Sequence, residues 1–201
     1  LMTDPGDTAW IEDPCYWGAK RSLLAANLHL HPVPVDEEGL APGGADWAMP
    51  PRLIYVTPSH QYPLGHVMSL RRREALLDYA ARHGAWIFED DYDNEVHYAG
   101  KPLAALQGMD RDARVIYAGT FSKVMYPGVR LGYLVVPEDI VGAFNTGLYD
   151  LYRPGQLILQ AALERMAGEQ RVEFLRAQPQ HTGDNGGMIA FAAWADREPG
   201  G

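Results

Sequence analysis

The chain has 201 residues, 47% apolar and 21% charged, a balance that suits one globular domain or a large part of one. Its net charge of −9 argues against nonspecific nucleic-acid binding by this segment. No apolar run approaches the roughly 20 residues that span a bilayer, and Leu1 to Asp7 lacks the basic and apolar regions of a secretory leader. The single cysteine, Cys15, excludes an internal disulfide and a cysteine-built zinc site. A cytoplasmic protein fits these traits. The turn-like opening at Asp4-Pro5-Gly6-Asp7 and the close on Arg197-Glu198-Pro199-Gly200-Gly201 read as the ends of a fragment.

In chain order, Thr8 to Asp13 reads as a short strand stopped by Pro14, and Tyr16 to Asn27 as a helix. His29 to Val35 reads as extended, with His29 and His31 on one side at the surface. Asp36 to Pro51 reads as a Pro/Gly-rich loop, and Leu53 to Val56 as a short buried strand. Ser69 to His83 is the clearest helix. Ser69 caps it, Leu70, Leu76, Leu77 and Ala80 recur at helical spacings, and Gly84 ends it. Its Arg71-Arg72-Arg73 run reads as a solvated face. Further strands are expected over Ala85 to Phe88, Arg114 to Ala118 and Leu131 to Val136, with helices over Asp139 to Tyr152 and Gly155 to Ala167. Met188 to Trp194 reads as one more strand of a second, incomplete domain. Strands that are continuous apolar runs, alternating with helices, predict an α/β fold with a mostly parallel sheet covered on both faces. Ligands in such sheets sit at the carboxyl ends of the strands.

Polar clusters stand at two of those ends. The first is Tyr117-Ala118-Gly119-Thr120-Phe121-Ser122-Lys123, followed by Arg130. An aldehyde cofactor such as pyridoxal 5'-phosphate (PLP) needs an amine to attack it, and hydroxyls and a cation around its phosphate. Lys123 supplies the amine; Ser122, Thr120 and Arg130 supply the rest. Taken alone, Lys123 reads equally as a solvated lysine after a strand. The second cluster is Glu89-Asp90-Asp91-Tyr92. A carboxylate there, Asp90 with Asp91 and Asp93 as rivals, pairs with a protonated pyridine nitrogen and keeps the ring electron-withdrawing. Tyr92 reaches its phenolic oxygen. The alternatives are a solvated acidic turn or a magnesium site. His60 reads either as a neighbour of the cofactor or as a holder of its loop. The histidines show no metal-ligand spacing.

Glu89-Asp90-Asp91-Tyr92-Asp93-Asn94-Glu95, then Gly119 to Lys123, then Arg130-Leu131-Gly132-Tyr133, resembles the class I/II aminotransferases of PLP fold type I. Thr57-Pro58-Ser59-His60-Gln61-Tyr62-Pro63-Leu64-Gly65 resembles, more narrowly, the aminotransferase-like domain of MocR/GabR-type transcription regulators of the GntR family. Tyr62 stands where free-standing aminotransferases carry an Asn that contacts the phenolic oxygen. The resemblance implies a fold type I large domain over 1–167 and, over 168–201, a remnant of the small domain, which is largely missing, or an irregular tail. It implies Lys123 as the Schiff-base lysine, Asp90 as the pyridinium partner and Tyr92 at the phenolic oxygen. Ser122, Arg130 and Thr120 would bind the phosphate. Through Glu12-Asp13-Pro14-Cys15-Tyr16 it makes Tyr16 the residue stacked on the ring, otherwise a half-buried core aromatic.

Two departures stand out. The family's Gly/Ser-rich phosphate loop and, in the regulators, a winged-helix DNA-binding domain would lie upstream of Leu1. Gly18 stands where the GABA-sensing member has an arginine, so GABA is a poor candidate effector. The resemblance implies three functions: an amino-compound sensor working through an external aldimine or transaminase chemistry within a regulator, a free-standing aminotransferase, or a degenerate fragment that binds nothing. The expected partners are an amino acid or other small amine and, in the intact family, a second copy in a homodimer. Neither nucleic acid nor membrane is an expected partner of this segment.

Overall fold

A computed structural model describes residues 2–93, 103–121, 132–151, 161, 162, 165, 169 and 189–191. These fall into two compact units, 1–119 and 120–201.

The first unit is built on a sheet. Strand β1 (Thr8–Asp13) is followed by helix α1 (Trp17–Ala25), β2 (His29–Asp36), the two-residue β3 (Gly39–Leu40) and the short helix α2 (Gly44–Trp47). Then come β4 (Leu53–Val56), α3 (Leu70–His83), β5 (Trp86–Asp91), α4 (Leu106–Met109) and β6 (Val115–Thr120). The spatial order is β3-β2-β1-β4-β5-β6. All pairings are parallel except β2 with β3 at the edge. The predicted Asp36 to Pro51 loop thus contains β3 and α2, elements too short to carry a period.

Period-two alternation along the strands divides the side chains between two faces. Trp10, Val33, Ile54, Val56, Ile87 and Val115 form one buried cluster with Leu76, Tyr79 and Ala80 of α3. Helix α3 starts where Ser69 accepts a hydrogen bond from the Arg72 amide at 3.3 Å and ends at Gly84 in the left-handed region. Leu70, expected on its apolar stripe, is instead exposed.

The triple arginine run is not one solvated face. Arg71 is exposed and reaches Glu38, and Arg72 bonds Asp36 and the carbonyls of Gly39 and Leu40. Arg73 is fully buried. Successive helical residues are rotated by about 100°, so three neighbours cannot share an environment. Arg73 donates to the carbonyls of Met68, Ala104 and Pro58 at 3.0, 3.1 and 2.8 Å and lies 4.0 Å from the buried Glu89. His31 is tied to Asp46 at 2.6 Å rather than free at the surface.

The opposite sheet face carries Leu53, Tyr55, Phe88 and Asp90, with α1 over it. No residue of α1 is buried.

In the second unit, β7 (Gly132–Val135) leads into α5 (Glu138–Leu151), and β8 (Ile189–Phe191) pairs parallel with β7. The predicted strand over Met188 to Trp194 contains β8. The Phe121 and Tyr133 rings stand 5.1 Å apart. Among the described residues, no helix is long and apolar enough to cross a membrane. The fold is α/β, with a mostly parallel mixed sheet.

Candidate functional site

Tyr55 lies in register with Phe88 on the neighbouring strand, and their rings stack at 6.0 Å. Asp90 follows Phe88 on the same face, within diagonal reach of a long side chain. The Tyr55 hydroxyl donates to Asp90 Oδ2. The pair sits at a cavity of about 340 Å³ lined also by Tyr16, Gly18, Ala19, Leu23 and Phe88, a volume within the range of small-molecule sites. Burial pushes the Asp90 carboxyl above its ordinary value, and the Tyr55 bond pulls it partly back. Burial and the adjacent Asp90 charge push the Tyr55 phenol strongly upward, so it stays a donor.

Aromatic rings gather at the strand ends. Tyr16 meets Tyr62 edge-on at 5.7 Å, Tyr62 meets Tyr92 at 6.1 Å, and His60 meets Tyr92 at 6.2 Å. Tyr16 and Tyr62 keep 47% and 42% of their surface exposed, so each has a free face. The Tyr16 ring also lies over Gly18, where an added Cβ would come within 2.5 Å of it. Burial, aided by Asp93 and Asp90, pushes the Tyr92 phenol up to about 12. His60 is thus beside both this group and Gly65 of its own loop.

Glu12, at the end of β1, fastens the two loops that carry Tyr16 and Tyr62. It is 1% exposed. Its carboxylate accepts hydrogen bonds from the Thr57 amide at 3.3 Å, the Thr57 hydroxyl at 2.6 Å and the Gln61 amide group at 3.2 Å. The Gln61 amide group also lies 2.8 Å from the carbonyls of Pro14 and Tyr62. Thr57 Oγ1 accepts from the Tyr62 amide at 3.1 Å, and Gln61 Oε1 from the Leu64 amide at 3.0 Å. Desolvation, opposed by these bonds, pushes Glu12 up to about 7.

The remaining acidic residues have other duties. Glu89 and Asp91 lie on the α3 side. Glu89 accepts from the amides of Leu106 and Gln107 at 2.9 Å each, capping α4. Asp91 accepts from the Tyr117 hydroxyl at 3.0 Å. Three consecutive strand carboxylates that alternate faces cannot converge on one cation. Of the rivals weighed for the acidic role, Asp90 is the one that lines the cavity.

Of the sequence-derived candidates, Tyr16 and Asp90 line that cavity, Tyr92 joins Tyr16 through the ring of Tyr62, and Thr120 closes β6. Lys123, Ser122 and Arg130 lie outside the described residues. Tyr55 and Glu12 were not singled out by sequence. The available signal was chemical: a tyrosine inside Leu53-Ile54-Tyr55-Val56 must find a hydrogen-bond partner once buried, and the next strand ends in carboxylates.

The family model for aminotransferase class I and II matches residues 1–183. The chain is 45% identical over 175 residues to the probable rhizopine catabolism regulatory protein MocR of Rhizobium meliloti, a match spanning 84% of this chain and 34% of that protein. It is 42% identical over 148 residues to the HTH-type transcriptional regulator YdeL of Bacillus subtilis (strain 168), spanning 73% of this chain and 32% of that one. It therefore spans about a third of the length of these relatives. Among solved structures, a Pyrococcus horikoshii kynurenine aminotransferase, described in complex with PMP, superposes with a TM-score of 0.60 at 30% identity. That match covers 65% of this chain and 34% of the other. The chain belongs to the class I and II aminotransferase family and is homologous to the aminotransferase-like domain of MocR-type regulators.

Proposed function

We propose that this chain is the PLP-binding part of a MocR-type transcription regulator that would recognise an amino acid or another small amine. The observation that carries the reading is Asp90, a desolvated carboxylate held by Tyr55 in a cavity edged by Tyr16. That donor set fits a protonated pyridine ring: an anion for its N–H, apolar walls, and an aromatic ring at the edge for its face.

Each residue has a role in this reading. Asp90 holds the ring nitrogen and keeps it protonated. Tyr16 covers one ring face, an offset stack adding about 0.5–1.5 kcal/mol beyond burial. Tyr92, pushed up to about 12, remains protonated at neutral pH and donates to the phenolic oxygen. Ser122, Arg130 and Thr120 hold the phosphate. Lys123 would anchor the cofactor through its amine and, once free of that bond, would move a proton at the substrate's α-carbon. When bound, PLP supplies an aldehyde that condenses with amines and a ring that withdraws electrons. In a regulator the event that matters is the change in state on capturing the amine. The protein acts in the cytoplasm, as a homodimer.

The test is an absorbance spectrum of the purified chain with added PLP, repeated on Lys123→Ala. A visible band in the wild type that the variant loses supports the reading; no band in the wild type refutes PLP binding by this chain. The likeness to the kynurenine aminotransferase favours a second reading, a free-standing aminotransferase. The gene upstream of the Leu1 codon separates the two: an encoded winged helix supports the regulator, and a short leader running straight into a phosphate loop sinks it.

A further inference from the structure

We propose that Tyr55 is a positioning residue that takes one oxygen of the Asp90 carboxylate and leaves the other presented to the ring nitrogen of the cofactor. This rests on the reading of the cavity as a PLP site. Tyr55 is 4% exposed and its ring is fixed by stacking on Phe88. A parallel strand advances about 3.3 Å per residue, so a phenol anchored opposite Phe88 spans the two residues to Asp90. Its hydroxyl donates to Oδ2 alone, which fixes the rotation of the carboxylate about its own axis.

The choice of a phenol has a chemical consequence. Among the described residues, the other titratable groups whose charges act on this pair are Glu12, Cys15, Asp91 and Tyr92. None of these is a cation. A lysine or arginine at this position would orient Asp90 but also neutralise it, and the carboxylate would then have little left to offer a pyridinium. A neutral donor orients Asp90 without consuming its charge. It also offsets part of the desolvation that would otherwise favour the protonated, useless form of the carboxyl. The Asp91 carboxylate, one residue on, is likewise held by a tyrosine hydroxyl, that of Tyr117, but on the α3 side of the strand.

The experiment compares the wild-type chain with Tyr55→Phe, which keeps the ring and its stacking and removes only the hydroxyl. Two ligands are titrated: PLP, and 1-deaza-PLP, in which a carbon replaces the ring nitrogen. The expected result is that Tyr55→Phe weakens PLP about tenfold, the scale of one hydrogen bond to a charged group, and leaves the deaza analogue unchanged. An equal loss for both ligands, or no loss for either, overturns the proposal, because a packing defect does not depend on the ring nitrogen. Failure of the wild-type chain to bind PLP at all would sink the reading of the site instead. The hydrogen bond itself is then read in the ligand-free chain by ¹³C NMR titration of the Asp90 carboxyl. Its titration moves to higher pH in Tyr55→Phe if Tyr55 stabilises the carboxylate, and an unchanged titration overturns that assignment as well.

Discussion

The two sides of β5 put neighbouring carboxylates to opposite uses. On the α3 side, Glu89 and Asp91 are locked in: two backbone amides of α4 and the buried Arg73 surround Glu89, and Tyr117 holds Asp91. On the other side Asp90 takes its hydrogen bond, among the described residues, from Tyr55 and faces a cavity. Covering that side is α1, a helix without a single buried residue. Satisfied carboxylates build the protein, whereas a carboxylate that burial has primed and left partly unpaired is available to a ligand. The same contrast predicts that mutations on the α3 side will act mainly on stability and those on the α1 side mainly on binding.

The largest effect belongs to Arg73. Arg73→Ala leaves Glu89 a buried charge without its cation and strips a donor from the carbonyls of Met68, Ala104 and Pro58. Removing one partner of a buried pair costs about 3–5 kcal/mol, so the urea midpoint should drop sharply. A loss below about 1 kcal/mol would break the claim that the α3 side is the structural one.

That residue also marks the limit of what the sequence disclosed. The strands were legible because continuous apolar runs have only one stable home, a sheet covered on both faces; β1 begins and ends where expected. Motif order singled out Asp90 and Tyr16, and both line the cavity. The roles of Arg73, Glu12 and Tyr55 were not legible. A charged residue in a helix is ordinarily solvated, and the Pro58 and Ala104 carbonyls that bury Arg73 come from distant loops. Glu12 meets Thr57 and Gln61 across a still larger separation, 45 and 49 residues. No local pattern encodes such meetings; they follow from strand order, with β4 between β1 and β5.

The next effect is a pH dependence. Glu12 titrates at about 7 in the fold, against 4.5 for an ordinary glutamate, and Glu89, Asp90 and Asp91 are shifted upward by the same desolvation. Between these values the folded chain holds a proton that the unfolded chain has released, so stability is fullest near pH 4.5 and declines as pH rises through 7. For Glu12 alone the decline is on the order of 3 kcal/mol. Urea midpoints should therefore be higher at pH 5.5 than at pH 8, and Glu12→Gln should flatten that slope. A midpoint that rises with pH would contradict it.

Smaller still is the contrast between Asp91→Ala and Asp90→Ala. The first removes an acceptor of the Tyr117 hydroxyl in a buried setting and should cost about 1–2 kcal/mol. The second relieves a desolvated charge and leaves the Tyr55 hydroxyl facing a cavity that water can enter, so it should cost under about 1 kcal/mol. PLP affinity should rank them the other way, with Asp90→Ala the more damaging. Equal effects on both measures would erase the division between the two sides of β5.

The smallest and sharpest test is Gly18→Ala. An alanine near the start of α1 gains up to about 1 kcal/mol of helix propensity. Its Cβ, however, would lie within 2.5 Å of the Tyr16 ring, which must swing away and give up its edge contact with Tyr62. That contact is worth about 0.5–1.5 kcal/mol, so the two terms nearly cancel and thermal stability should hardly move. Binding has no such compensation, because Tyr16 would no longer stand at the edge of the cavity as it does beside Gly18. Gly18→Ala should therefore weaken PLP several-fold at nearly constant melting temperature. If affinity is also unchanged, Tyr16 is a surface aromatic rather than the ring's cover, and the α1 side keeps Asp90 as its main contribution to binding.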